Sequence, residues 1–374
     1  MAKIPVSLFG SGAAGIEFVE AIPPEHPDFE IVEVRGHSSA GKLVSEVMPD
    51  VNNDKLANMK ILPLPDSSKD LTPGIGLYCC ALSDDKDKTR VKSIEEMCAS
   101  VALMVSTSAL LRYDPDSTII ILEANAYNAQ KLKEQAENRG WKGFAAPGPN
   151  CTSVGPVISL KAMGMHTEQI LGIYFVSMQA VSGAGEKERR ILLKQRKGMV
   201  EGRREAIEDL EPVVYAGNVR SNIDNEEGKV KKELRKILGL HDFPINGRCN
   251  RVDVEYGHTV SMFVETRNRL YTDVIKGNVR RFNERCVQKF GDLYSSPEVF
   301  VELSHDPYGP QPLFDANRYK GMCTHIGQLQ PLDGNGRNGL MFNVTSHNLK
   351  KGAAKGSVQV AEYLCREGFF RNKF

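Results

Sequence analysis

Ile4–Phe9 is a short apolar run that enters Gly10-Ser11-Gly12-Ala13-Ala14-Gly15, after which Ile16, Phe18, Val19 and Ile22 recur at helical spacing until Pro23-Pro24. The pattern predicts strand, glycine turn and helix. A second strand is predicted over Phe29–Val34, and more over Gly76–Leu82, Val101–Ser106, Thr118–Leu122 and Phe144–Ala146, with helical patterns at Asp87–Ser100 and Ala126–Arg139 between them. Such alternation predicts a parallel sheet covered on both faces. After Cys151 the rhythm changes: longer strand patterns (Ile173–Ala180, Arg251–Val264) accompany amphipathic helices (Glu227–Leu238, Leu270–Phe290), as in an α+β domain. Gly352–Glu367 returns to helical spacing through Val358, Val360, Ala361 and Leu364. The reading is an α/β chain of two domains, a Rossmann-type domain over residues 1–150 completed by a C-terminal helix over 349–374, and an α+β domain over 151–348.

The 374 residues suffice for two domains. A hydrophobic fraction of 41% with 25% charged residues is that of a globular protein. The 48 basic and 47 acidic side chains leave a formal charge of +1, so no global field is available to hold a nucleic acid or an anionic membrane. The longest apolar stretches fall short of the roughly 20 residues of a membrane helix. The N-terminus lacks the layout of a secretion signal, so a cytoplasmic location is expected. The eight cysteines have no CxxC spacing and are expected mostly as small buried hydrophobes. The eight histidines form no HxxxH pair, and Cys79-Cys80 point to opposite faces of a strand, so no metal site is expected.

Strand, GxGxxG, helix, strand is the context in which this otherwise weak motif points to a dinucleotide, whose pyrophosphate meets the unpaired N–H groups of the helix start. A purely structural turn is the alternative. Where an NAD site would place a carboxylate after the second strand, the chain reads Arg35-Gly36-His37-Ser38-Ser39-Ala40-Gly41-Lys42. Cations and hydroxyls there suit a 2′-phosphate and favour NADP, against the alternative of a solvated basic loop. Pro147-Gly148-Pro149-Asn150-Cys151-Thr152 puts a cysteine after a rigid turn at the expected start of a helix, where thiolate is favoured; a nucleophile and a buried structural thiol are both open. In Arg251-Val252-Asp253-Val254-Glu255-Tyr256-Gly257-His258, alternation sends Arg251 and Asp253 to one face before a turn at Gly257, with His258 just beyond. A lone histidine is usually a satisfied core or surface residue, and Glu226 and Lys229, three apart, usually an exposed ion pair.

Together these pieces resemble the aspartate-semialdehyde dehydrogenases, most closely the archaeal and fungal type, over most of the chain and in order. The family's glycine loop is echoed by Gly10–Gly15, its serine-glycine-lysine loop by Ser39–Lys42, its phosphate-binding Arg-Met-Asp by Arg112-Tyr113-Asp114 and its Glu-Val-Asn by Glu123-Ala124-Asn125. The nucleophile loop reappears as Pro149-Asn150-Cys151-Thr152, and Gln-x-x-Ser-Gly-Ala-Gly as Gln179–Gly185. Glu226–Lys229 and the step from Arg251 to His258 follow, then Pro310-Gln311-Pro312 and His347-Asn348 before Gly352-Ala353-Ala354. The resemblance implies that Cys151 attacks the aldehyde carbonyl, His258 accepts the thiol or hydrate proton, and Gln179 orients the acyl group. It implies phosphate at Arg112 and Lys229, substrate carboxylate at Arg251, ammonium at Glu226, and Asn150 as a further substrate-binding residue. NADP would lie on Gly10, Ser11, Gly12, Ala13, Ala14, Gly15, Ser38, Ser39, Lys42, Ser182, Gly183 and Asn348. The implied reaction is the reductive dephosphorylation of 4-phospho-L-aspartate to L-aspartate 4-semialdehyde, serving lysine, threonine and methionine biosynthesis. The partners would be aspartate semialdehyde and phosphate, and the assembly a homodimer or homotetramer.

The pattern is broken at Phe9 (a glycine in the family), Ser38 (an arginine), Thr107 (an asparagine), Cys80 (a serine) and Lys351 (an arginine). A charged insertion between Gly185 and Glu226, with Glu186–Arg190, Lys194–Lys197 and Glu201–Glu205, reads as a solvated helix, or else as a functional arm. A malonyl-CoA reductase-like acyl-CoA reductase, which shares fold and nucleophile, is one alternative, and N-acetyl-glutamyl-phosphate reductase is another. A nucleotide-binding homologue without turnover is a third. Retention of Glu226, Lys229 and Arg251 speaks against the acyl-CoA enzyme, whose substrate has no ammonium.

Overall fold

The computed structural model describes residues 2–49, 51–83, 87–202, 213–239, 243–332 and 338–370. Part of the charged insertion (203–212), His241 and the last four residues lie outside them. The chain forms two compact units, one of Met1–Pro149, Asp292–Ser296 and Ala353–Phe374, the other of Asn150–Gly291 and Pro297–Gly352.

The first unit is built on strands β1 (Ile4–Phe9), β2 (Phe29–Gly36), β3 (Leu62–Pro63), β4 (Leu77–Cys80), β5 (Leu103–Ser106) and β6 (Phe144–Pro147), with helices α1 (Ala13–Ala21), α2 (Lys88–Val101) and α3 (Lys131–Arg139) between them. All pairings are parallel, in the order β3-β2-β1-β4-β5-β6. This is the doubly wound order whose switch point lies beside β1, at the glycine loop. β4, β5 and β6 are buried at every residue, which is why their sequences read as continuous apolar runs. Thr118–Leu122, expected as a strand, is not one. Ile119, Ile120 and Ile121 are buried, but Asn125 serves their backbone instead of a neighbouring strand, donating to the Ile119 carbonyl and accepting from the Ile121 N–H, each at 2.8 Å.

The C-terminal helix Ala354–Arg366 packs against α1 and β5. A buried carboxylate helps to hold it. Glu362 accepts from the Ser295 N–H (3.1 Å) and hydroxyl (2.6 Å) and pairs with His26 Nε2 at 3.0 Å. His26 Nδ1 in turn accepts from the N–H groups of Asp28 and Phe29, at the entrance to β2.

The second unit carries helices α4 (Cys151–Ala162), α5 (Glu186–Val200), α6 (Glu226–Leu238) and α7 (Thr272–Phe290). Its strands are β7 (Ile170–Gln179), β8 (Val219–Arg220), β9 (Ile245–Val252), β10 (His258–Thr266), β11 (Val301–Leu303), β12 (Thr324–Pro331) and β13 (Asn338–Ser346), in the order β11-β12-β13-β10-β7-β9-β8. β10 is central, antiparallel to β13 from His258 opposite Ser346 to Thr266 opposite Asn338, and antiparallel to β7 on its other side. The expected strand Arg251–Val264 is therefore two, separated by a turn through Asp253–Gly257. Gly257 has φ +91°, and a Cβ there would lie 2.8 Å from the Ala316 Cβ, so the chain turns where only glycine fits. The strand pattern of Ile245–Asn250 is obscured by Asn246, Gly247, Arg248 and Asn250.

The charged helix α5 is more than a solvated face. Arg189 reaches Glu255 at 2.6 Å and Arg196 reaches Asp253 at 2.8 Å, tying it to the turn before His258. Asp253 therefore serves this helix.

Replacing Glu362 with alanine strands three buried donors and should destabilise the first unit by about 3 kcal/mol or more. Chemical denaturation checks this, and an unchanged midpoint would contradict it.

Candidate active site

Asn150 caps α4, its Oδ1 accepting from the Thr152 N–H at 2.8 Å, so Cys151 is the first residue of the helix. The position offers the unpaired N–H groups and positive end of the helix dipole to an ionised sulfur. All eight cysteines are unbridged; seven are buried, and Cys151 is the one partly exposed. Burial pushes the Cys249 thiol up to about 12, the ordinary fate of an enclosed thiol. A Cβ on Gly352 would stand 3.0 Å from both Cα and Cβ of Cys151, so the chain passes against this cysteine where no side chain fits.

His258 begins β10 and is fully enclosed. Its Nε2 lies 3.2 Å from Cys151 Sγ, and its Nδ1 accepts the Ala180 N–H at 3.1 Å. Burial, with the charge of Arg251 and the neighbouring His347, holds its pKa well below the usual histidine value. Accepting at Nδ1, the neutral ring carries its hydrogen on Nε2, toward the sulfur. The carbonyl of the same Ala180 accepts Arg251 Nη1 at 2.8 Å. Arg251 is buried near the end of β9, and burial lowers its pKa against the raising pull of Cys151 and Glu226. A Cβ at Gly183 would come within 2.9 Å of Arg251 Nη1 and 3.2 Å of His258 Nε2.

Ser182 and Asn348 brace this arrangement. Asn348 is wholly buried, donating to Ser182 Oγ and accepting from the Gly257 N–H, both at 2.9 Å. The amide that the resemblance assigns to the cofactor thus holds the turn before His258.

Glu226 is buried, which removes the alternative of an exposed ion pair with Lys229. Its Oε1 accepts from Asn150 Nδ2 (2.9 Å), Thr152 Oγ1 (3.2 Å) and Gln179 Nε2 (3.4 Å). Lys229, partly exposed, stands 3.7 Å from it. Two helical turns further on, Glu233 is fully buried and accepts the Asn150 N–H at 2.6 Å. Glu233 lies in none of the motifs that the sequence presents. Its spacing of seven from Glu226, which puts both on one face of α6, was the available signal.

The remaining cofactor- and phosphate-binding candidates lie in the first unit. Gly10 has φ +102° and its Cβ would strike the Ala81 carbonyl at 2.5 Å, while a Cβ at Gly15 would meet the Gly10 carbonyl at 2.3 Å. Gly12, the N-cap of α1, is exposed with nothing within 4 Å of that position, and Ser11, Ala13 and Ala14 beside it are partly exposed. Phe9, a departure from the family, is buried edge-on against Tyr78. Ser11 donates to Ser39 Oγ at 3.1 Å, and Ser38 and Lys42 are exposed. Arg35, counted among the cations of this loop, is a correction: it is buried, bonded to Glu33 (2.8 Å), the Pro63 and Asp70 carbonyls and Thr72. Glu33, its partner, also takes the Ser7 hydroxyl, so this carboxylate near the end of β2 faces inward. Arg112 is buried, with Nη2 on the Thr107 carbonyl at 2.8 Å. Thr107 donates its N–H to Cys80. No group of three or more His, Cys, Asp or Glu that could hold a metal occurs among the described residues, and no helix there is long and apolar enough to cross a membrane.

Residues 5–132 match the family model described as semialdehyde dehydrogenase, NAD binding domain, and residues 164–351 that described as semialdehyde dehydrogenase, dimerisation domain. The chain is 26% identical over 367 residues to an aspartate-semialdehyde dehydrogenase of Methanothermobacter thermautotrophicus, covering 96% of this chain and 97% of that protein. It is also 26% identical over 379 residues to a malonyl CoA reductase (NADP) of Metallosphaera sedula, covering 97% and 96%. In fold it is similar to the crystal structure of an aspartate semialdehyde dehydrogenase with NADP from Candida albicans, with a TM-score of 0.77 at 22% identity over the whole of both chains. The chain belongs to the semialdehyde dehydrogenase family, oxidoreductases that act on an aldehyde.

Proposed function

We propose that this protein is an NADP-dependent aspartate-semialdehyde dehydrogenase that reduces 4-phospho-L-aspartate to L-aspartate 4-semialdehyde through a thioester on Cys151, with release of phosphate. The observation that carries this reading is a partly buried cysteine at a helix start, its sulfur 3.2 Å from the His258 ring, which shares the Ala180 backbone with a buried arginine. Cys151 attacks the acyl carbon and phosphate leaves, the resulting thioester keeping the carbonyl activated. Arg251 receives the substrate carboxylate, a partner for which its planar fork is suited, and Gln179 orients the acyl group. Lys229 draws the phosphate, and Glu226 the ammonium.

The glycine loop fits the cofactor: Gly12 leaves room for a pyrophosphate at the start of α1, and Ser38, Ser39 and Lys42 offer two hydroxyls and a cation for a 2′-phosphate. When bound, NADPH supplies the hydride for reduction of the acyl group. Residues 1–150 with the C-terminal helix would form the NADP-binding domain and 151–348 the catalytic and dimerisation domain of a homodimer or a pair of dimers.

A second reading, reduction of an acyl-CoA, is favoured by one observation. Glu226 already accepts three hydrogen bonds from Asn150, Thr152 and Gln179, so its presence does not by itself demand a substrate ammonium. Purified protein with aspartate semialdehyde and NADP should form NADPH only when phosphate is added, and faster than with NAD. Activity confined to malonyl-CoA and NADPH would replace the first reading with the second. Cys151→Ser should abolish turnover while leaving nucleotide binding, followed by fluorescence titration, intact. Arg251→Leu should raise KM and lower kcat, reducing kcat/KM by about 10²-fold or more through loss of a buried charge-assisted contact. A neutral result would move the carboxylate site elsewhere.

A further inference from the structure

We propose that a cavity at the amino ends of β4, β5 and β6 is a binding site for a small uncharged molecule with an apolar ring and a carbonyl oxygen, separate from the glycine loop. The inference is independent of the reading of Cys151 and of the reaction assigned to it.

The cavity lies within the first unit and has a volume of about 660 Å³, in the range of small-molecule sites. Its walls come from the chain ahead of three parallel strands. Ile75 precedes β4, Val101 ends α2 ahead of β5, Trp141 and Lys142 precede β6, and Leu71 and Thr72 belong to the connection between β3 and β4. The glycine loop is at the other end of the sheet, where Gly10 follows β1 and abuts the Ala81 carbonyl just past β4. Dinucleotides on such sheets bind at the carboxyl ends of the strands, so the cofactor does not account for this cavity. The connection is pinned from β2. Thr72 donates to Glu33 at 2.5 Å, and Arg35 donates to the Pro63 and Asp70 carbonyls and to Thr72, so the buried Glu33–Arg35 pair fixes the chain on both sides of Leu71. A wall fixed in advance costs a ligand little ordering.

Leu71, Ile75 and Tyr78 are buried in one apolar cluster, with Val101 and Trp141 packed against it, so the cavity receives an apolar ring. Tyr78 supplies the polar feature. It is 1% exposed, with its ring edge-on to Phe9 at 5.9 Å. Its hydroxyl makes no hydrogen bond among the described residues, yet the oxygen is not sealed, so it opens on the cavity whose wall Tyr78 forms. A phenol so enclosed ordinarily has a partner. Burial, with Cys98 and Glu33, raises its pKa, so the group is a donor and the partner must be an acceptor. The same burial and the charge of Glu33 disfavour a carboxylate at this depth, which leaves an uncharged carbonyl. The indole N–H of Trp141, a second donor in the wall, also makes no hydrogen bond among the described residues, while Arg139 sits over the ring at 4.7 Å. Lys142 is exposed at the mouth and offers an anion a rival position, which the test separates.

Trp141 is the only tryptophan of the chain, so its fluorescence reports on this cavity. The probes are 3-phenylpropanamide, 3-phenylpropanoate and propylbenzene, each titrated into the intact protein in the presence of saturating NADP. The amide should give a saturable change with a Kd below about 1 mM, and the carboxylate and the hydrocarbon should each bind about fivefold more weakly or worse. Tyr78→Phe keeps the ring and removes the hydroxyl. It should weaken the amide about five- to tenfold and leave propylbenzene unaffected. Its unfolding midpoint should not fall, because the hydroxyl it loses has no partner within the described protein. No saturable change with the amide, or one that NADP abolishes, would overturn the site. Tighter binding of the carboxylate, equal amide binding by Tyr78→Phe, or a lowered midpoint in that variant would overturn the ligand chemistry assigned to it.

Discussion

The backbone of Ala180 holds two side chains that arrive from different strands: its N–H is bonded to the His258 ring and its carbonyl to the Arg251 guanidinium. Both side chains are buried, so neither has water to fall back on if the backbone moves. The N–H decides which nitrogen of the imidazole carries hydrogen, and the carbonyl decides where the cation stands. Asn348, Ser182 and the Gly257 turn brace the same segment from the other side, and Gly183 is small so that histidine and arginine can meet there. The geometry around Cys151 follows from a backbone constraint more than from any one reactive residue.

A second constraint comes from α6. Its two buried carboxylates, Glu226 and Glu233, face the beginning of α4, where they accept from the side chains of Asn150 and Thr152 and from the Asn150 N–H. A helix start is where acceptors are needed and where negative charge is tolerated best. Glu226 thus has work within the fold whatever the substrate is, and the difference between an amino-acid substrate and an acyl-CoA must be sought in other contacts.

In the first unit the same economy of small residues appears at the glycine loop. Gly10 and Gly15 are required by close approach within the protein, whereas Gly12 is open to whatever binds there. Arg35 shows the opposite case. A cation at the end of β2 looks available for a phosphate, yet it is consumed by Glu33, Thr72 and two carbonyls, so the charge and hydroxyls on offer come from Lys42 and the serines.

Much of this was legible in the chain itself. Period-two and period-3.6 patterns marked β1, β2, the glycine turn and the long helices, because burial of one face or both leaves its trace in local sequence. The motif order singled out Cys151, Arg251 and His258, which the fold brings together around the backbone of Ala180. Other features were set by residues distant in sequence. Ile119–Ile121 has the composition of a strand but obtains its hydrogen bonds from Asn125; β9 hides behind polar residues; and Glu233 becomes informative only when α6 lies against α4. The position of the imidazole proton depends on one N–H that is 78 residues away in the chain. Sequence determined the residue types and their local elements, since these follow from nearest-neighbour patterning. Tertiary structure alone decided which buried donors and acceptors meet, because hydrogen bonds depend on distances and angles that composition does not encode.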